Sequence, residues 1–236
     1  MSLLTLLADA AVELGFAAPS AIFTSTDPTV KLLRVIASKE GKDLARRFDW
    51  QILQKEGTFT TVAAETQVAA VTTTFSDFGH IVNGSMWDRT ESRQVRGPLT
   101  PDGWQQKKAA TAQITVGHYF RIRGGALLFF STPPAGNTIY FEYIGTKWCQ
   151  SSALVAQTDW AADADTALID EEIIRLGVVW RYRKAKGFDY GEDFRTYEMA
   201  LADVFGPDAG RSTVDMTGVD MDLGLGVNLA EGSWSL

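Results

Sequence analysis

The chain has 236 residues, 45% of them apolar, with 22 Lys and Arg against 29 Asp and Glu, for a formal charge of −7. This is the composition of a core-forming globular protein rather than of a disordered chain. A single cysteine, Cys149, excludes an intramolecular disulfide and a cysteine-based zinc site, and the acidity argues against a generally basic nucleic-acid binder.

No stretch approaches the ~20 apolar residues that cross a bilayer. The leucine-rich start lacks a basic leader and carries Asp9 and Glu13, so it reads as an amphipathic helix and not as a secretory signal. In that helix Leu3, Leu7, Ala10, Ala11 and Leu14 recur at helical spacing until Gly15. A polar connector follows, anchored by Ile22 and Phe23. Asp27-Pro28 supplies an N-cap acceptor and a first-turn proline for a second helix, with Val30, Leu33, Ala37, Leu44 and Phe48 on one face, ending near Asp49-Trp50.

From about Gln54 branched and aromatic residues favour strands, first at Thr58–Val62 and then through the Thr- and Val-rich stretch to Phe75. Thr100-Pro101-Asp102-Gly103-Trp104 looks like the cap and first turn of a short helix ending before Gln113. Tyr119–Arg123, Gly124-Gly125 and Ala126–Phe130 spell a two-residue hairpin. After the turn Pro133–Asn137, the run Thr138–Ile144 is expected to return as the third strand of a meander.

Helical spacing resumes after a cap region at Asp163–Thr166, with Ile169, Ile173, Leu176 and Trp180 on one face. Acids Asp170, Glu171 and Glu172 open this helix and bases Arg181, Arg183, Lys184 and Lys186 close it before Gly187, the charge order its dipole favours. A last helix runs from about Tyr190 through Phe194, Tyr197, Leu201, Val204 and Phe205 to Gly206-Pro207. The resulting class is α+β: an antiparallel helical bundle from both chain ends (1–53 and 163–206), an inserted β-rich region (54–162) and an extended C-terminal arm (207–236).

Residue patterns for chemistry are sparse. His80 and His118 belong to no triad or metal motif, and Cys149 beside Trp148 has no Cys-His signature. Asp220, Asp222 and Glu231 occupy positions 1, 3 and 12 of a calcium-loop register, but Leu225 stands where its turn needs glycine. Gly224-Leu225-Gly226 begins a dinucleotide fingerprint that Leu229 breaks, and Asn83-Gly84-Ser85 reads as a turn. No cofactor or metal is expected, and a hydrolase using Glu171 and Glu172 has only the acidic run in its favour. Arg89, Arg93 and Arg96, followed by Lys107 and Lys108, suggest a partner surface, against the simpler reading of a solvated face balanced by Asp88, Glu91 and Asp102.

The arm is more pointed. It is acidic, net −4 against −3 for the other 206 residues, and places an apolar residue at nearly every second position from Val214 to Leu236. Such alternation suits an extended strand that buries one face on another subunit; disorder or docking on its own chain are the other readings.

The ordered set Arg47-Phe48-Asp49-Trp50, Asn83–Arg89, Phe120–Gly125, Phe141-Glu142-Tyr143 and Glu192–Glu198 resembles head-to-tail adaptor proteins of tailed bacteriophages, including those related to tail tubular protein A, over about residues 2–205. The resemblance implies a structural virion protein without an active site, assembled in the host cytoplasm and located at the head-tail junction, with no membrane partner. It would form a ring of twelve copies between the portal protein and the next tail component, a nozzle or stopper, with DNA only in transit through an acidic lumen. The arm would grip the portal through Val219, Met221, Leu223, Leu225, Val227, Leu229, Trp234 and Leu236. The alternative from another class is a carbohydrate- or receptor-binding β-rich module of a tail, suggested by seven Trp and six Tyr around an antiparallel sheet.

Overall fold

The computed structural model describes residues 1–109 and 117–208, so the arm expected at 207–236 lies outside them beyond its first two residues. Helix α1 (Leu3–Glu13) is capped by Ser2, whose hydroxyl accepts from the Thr5 amide, and buries Leu3, Leu6, Leu7, Ala10 and Ala11. Helix α2 (Pro28–Arg47) starts as its Asp27-Pro28 sequence dictates, the Asp27 carboxylate accepting from Thr29 N at 2.8 Å. It ends slightly earlier than its apolar stripe suggests, because Phe48 turns extended to enter a short 3-10 turn at Gln51–Leu53.

The β-rich middle holds β1 (Gln54–Thr60), β2 (Thr66–Val68), the one-turn helix α3 (Val71–Thr74), β3 (Phe78–Ile81), β4 (Trp87–Asp88), β5 (Arg93–Gln94), helix α4 (Pro101–Ala109), β6 (Tyr119–Arg123), β7 (Ala126–Phe130) and β8 (Thr138–Gly145). The Thr- and Val-rich stretch to Phe75 is therefore strand only at its start. Helix α3 forms because Val71 buries and the Thr74 hydroxyl and amide both donate to the Ala70 carbonyl, closing a helical turn instead of a ladder.

The expected meander does not form. Strand β7 is already paired on both edges, with β6 across the Gly124-Gly125 turn and with β2, so β8 has no edge to join. Instead β8 runs antiparallel to β1 along its whole length, from Gln54 opposite Ile144 to Thr60 opposite Thr138, and takes β3 and β4 on its other side. Phe59, Phe129 and Phe141 meet between the two sheets in one core with Val68, Met86, Phe120 and Ile139. The other face of β7 is covered by α4, where Trp104 packs on Leu128 and Phe130, and this double coverage explains why Ala126–Phe130 is apolar without alternation.

A small sheet of β9 (Cys149–Gln150), β10 (Ala156–Gln157) and β11 (Thr166–Ala167) leads into α5 (Glu171–Lys186) and α6 (Gly191–Asp208). The cap of α5 is Asp170, accepting from Glu172 N and Ile173 N, later than the Asp163–Thr166 region; Gly187 ends the helix with φ 76°. Asp163 is used elsewhere, its carboxylate accepting from the backbone amides of Ile22 and Phe23. Helix α6 runs through Gly206-Pro207 instead of stopping there. Side chains of α1, α2, α5 and α6, with Ile144, Trp148, Cys149, Trp160 and Ile169, form the largest core.

Asp77 pins three strands of the larger sheet. Lys55 of β1 donates to one carboxylate oxygen, Tyr143 of β8 to the other at 2.9 Å, and Thr146 N donates to its carbonyl at 2.8 Å. Burial alone would push this carboxyl up, but Lys55 and Tyr143 outweigh it and hold it below its ordinary value, while burial and Asp77 push the Tyr143 hydroxyl up to about 12. A depressed carboxyl adds stability above its ordinary range and loses it as pH falls through its folded value. Asp77→Asn is expected to lower stability by about 2 kcal/mol at pH 7 and by clearly less at pH 3, measured by urea unfolding at the two pH values.

Candidate functional site

The junction of α2 with α5 and α6 is built around a charge in an apolar position. Glu40 lies on the same face as Leu33, Ala37 and Leu44 and is wholly buried. One carboxylate oxygen accepts from the Tyr197 hydroxyl at 2.6 Å and the other from Arg181 Nε, and Arg181 Nη2 also donates to Asp43 at 2.9 Å. Gly177 of α5 faces this carboxylate so closely that a Cβ there would stand 2.3 Å from Glu40 Cδ. Burial raises the Glu40 pKa against the pull of Tyr197 and Arg181, and burial followed by the Glu40 charge raises Tyr197.

Three further contacts tie α6 to its neighbours. Arg47 grips Glu198 with both terminal nitrogens, at 2.9 and 2.6 Å, Arg183 donates to Asp193 at 2.6 Å, and the Phe48 and Phe205 rings meet at 3.9 Å. The last turn of α6, from which the arm departs, therefore sits against the C-terminal end of α2.

The outward face of α2 carries Lys31, Arg34, Lys39, Lys42 and Arg46 within four turns. Lys42 pairs with Asp159, and the Arg34 guanidinium lies 4.8 Å over the Phe23 ring. Lys31, Lys39 and Arg46 have no ion pair among the described residues, and Val35 between them is 59% exposed. Two hollows of about 610 and 460 Å³ adjoin this face and share Lys42 and Arg46. The first is walled by Phe23, Val35 and Trp160, and the second by Ile144, Trp148 and His80.

The other residues singled out in the sequence lie apart from this junction or serve packing. Cys149 is buried, its thiol pushed up to about 12 by burial and by nearby Asp159 and Asp165. His118 Nδ1 meets the Ser131 carbonyl at 2.8 Å and its ring stacks on Phe129; His80 Nε2 meets Asp49 at 2.9 Å on the surface. Asp170 caps α5, Glu172 pairs with Arg175, and no group of three His, Cys, Asp or Glu able to hold a metal occurs among the described residues. The turn at Asn83-Gly84-Ser85 is present, with Gly84 at φ 77°.

In the basic stretch, Arg89 bridges to Glu56 and stacks 3.5 Å over Tyr140, Lys107 lies over Tyr119, and Lys108 pairs with Glu65. Asp88 does not balance that face. It is wholly buried, accepting from Thr90 N, Glu91 N and the Asn137 side-chain amide at 2.7 Å, because its turn needs an acceptor inside. Trp50, Trp104, Trp148, Trp160 and Trp180 are buried, while Trp87 is exposed. The expected partner-binding residues, Val219 to Leu236, lie outside the described residues, as do the calcium-like and dinucleotide-like spellings.

Glu40 was missed as a functional position, although the sequence holds a signal: a carboxylate and a glycine interrupt the stripe where Ala37 and Leu44 demand an apolar residue. Glu40→Ala leaves Arg181 and the Tyr197 hydroxyl without their acceptor and is expected to cost about 3 kcal/mol in chemical denaturation, with Glu40→Gln, which keeps an acceptor, costing less than half of that.

No curated protein matches the chain. A family model, SU10 adaptor protein, matches residues 1–219, which takes in all four long helices, the β-rich middle and the start of the arm. The chain belongs to the SU10 adaptor protein family, and with it to the structural adaptors of phage particles.

Proposed function

We propose that this protein is the head-to-tail adaptor of a tailed bacteriophage, of the kind related to tail tubular protein A, forming a ring of twelve copies between the portal protein and the next tail component, a nozzle or stopper. The observation that carries the reading is the match of an adaptor family to residues 1–219. In this reading the chain-end helices (1–53 and 163–206) are an antiparallel bundle that faces the portal, and the β-rich insertion (54–162) faces the distal tail component. Residues 207–236 are an arm that reaches along portal subunits. DNA passes through the ring during ejection, and the particle's head-tail junction is where the protein acts.

The side-chain arrangement supports a part that binds and holds rather than one that catalyses. Its thiol is buried, its histidines meet a carbonyl and a surface carboxylate, and its buried carboxylates are bound by neighbouring donors. Burial of five tryptophans also speaks against a sugar-binding surface, which would present aromatic faces to solvent. The arm's apolar alternation supports a strand-like grip through Val219, Met221, Leu223, Leu225, Val227, Leu229, Trp234 and Leu236.

Deleting residues 207–236 should leave a folded protein that no longer co-purifies with portal rings, while electron microscopy of the full chain with its portal should show a ring at the narrow end; undiminished co-purification of the truncated chain would remove the arm from the interface. Trp234→Ala should weaken portal binding by about 30-fold, the effect of a 2 kcal/mol interface anchor, with the melting temperature unchanged in a thermal scan of the free protein.

A further inference from the structure

We propose that the outward face of α2 is the resting seat of the chain's own C-terminal arm, occupied through residues 214–223 before any partner engages that arm.

Two observations converge on this face. The first is where the arm begins. Phe205 packs on Phe48, directly after α2, so the chain leaves α6 near the C-terminal end of α2, the end at which the cationic row closes with Arg46. From Arg34 to Arg46 that row spans about 18 Å at the helical rise, a distance some six extended residues cover. The segment 214–223 starts six residues beyond Asp208, within reach without strain.

The second is complementarity. Residues 214–223 carry Asp215, Asp220 and Asp222 and no cation, while Lys31, Lys39 and Arg46 have no ion pair among the described residues. In an extended chain Val219, Met221 and Leu223 fall on one side and Asp220 and Asp222 on the other. The furrow of about 610 Å³ offers matching parts: Val35 and Trp160 stand at its walls, its two carboxylates, Asp43 and Asp159, are already paired with Arg181 and Lys42, and the long stems of Lys39 and Arg46 are able to carry their charges to the rim. This apolar content favours a peptide over a phosphate backbone as the occupant.

A partner that takes the arm, a portal included, must then displace it from α2. Disulfide trapping in the full chain, with no portal present, tests this seating separately. Cys149 is buried and its thiol is pushed up to about 12, so introduced surface thiols react alone. In the Lys39→Cys, Asp220→Cys variant mild oxidation should close an intramolecular disulfide about tenfold faster than in Met199→Cys, Asp220→Cys, whose helix thiol is exposed and nearer the arm's root in sequence. Raising salt to 1 M should bring the two rates together. Equal rates at low salt would overturn the proposal, as would a disulfide joining two chains, which assigns the seat to a neighbour's arm. Protection of Lys39→Cys by a short DNA duplex, without arm closure, would assign the face to phosphate instead. None of these outcomes bears on whether the arm binds a portal.

Discussion

Hydrophobic burial brings helices together without telling them where to stop, and in this protein a single carboxylate supplies that information. Glu40 occupies a place in the apolar stripe of α2, so its charge must be met from the helices opposite or the helices cannot close. Arg181 and Tyr197 meet it from α5 and α6, and Gly177 removes the side chain that would hold the two backbones apart. A sliding of α2 by one residue would break both donors' geometry at once, and a sliding of α5 or α6 would break its own. Such a contact adds little net energy compared with a leucine, yet it selects one register from several that apolar packing would tolerate.

The same logic recurs across the β-rich middle. Asp77 binds β1 and β8 through Lys55 and Tyr143, Asp88 organises the turn beside β4 and clasps Asn137, and Asp165 accepts from two successive amides ahead of α5. Among the described residues four acids are thus folded into the interior, so the net charge counted along the chain overstates the negative potential that a partner meets. The α2 face, where three cations lack ion-pair partners among the described residues, shows how far a surface can depart from the overall sign.

Local signals in the sequence were reliable where the physics is local. The Asp27-Pro28 start, the Gly124-Gly125 hairpin, the Thr100 cap and the Gly187 stop depend on a few neighbouring residues, and all four occur as expected. What the sequence could not convey was competition. The pairing of β8 with β1 rather than β7 depends on β2 having taken the last edge of β7, a fact spread over sixty residues. Asp88 looked like a surface counter-ion for the same reason: nothing adjacent reveals that Asn137 and two amides converge on it. Glu40 was visible as a break in a stripe, but its meaning required Tyr197, 157 residues away. The α+β class was readable, while which strand lies beside which was not.

The manner in which α6 is fastened gives the molecule a directional response to force. From its C-terminal end inward, its ties to α2 and its cap residue come in the order Phe205 on Phe48, Glu198 on Arg47, then Tyr197 on Glu40. Tension that lifts the end of α6 away from α2 meets these one at a time, the half-buried ring contact yielding before the buried carboxylate is reached. Tension along the helix axis strains them together. The joint is therefore compliant to peeling and stiff to axial pull, a property set by the order of three side-chain contacts along one helix.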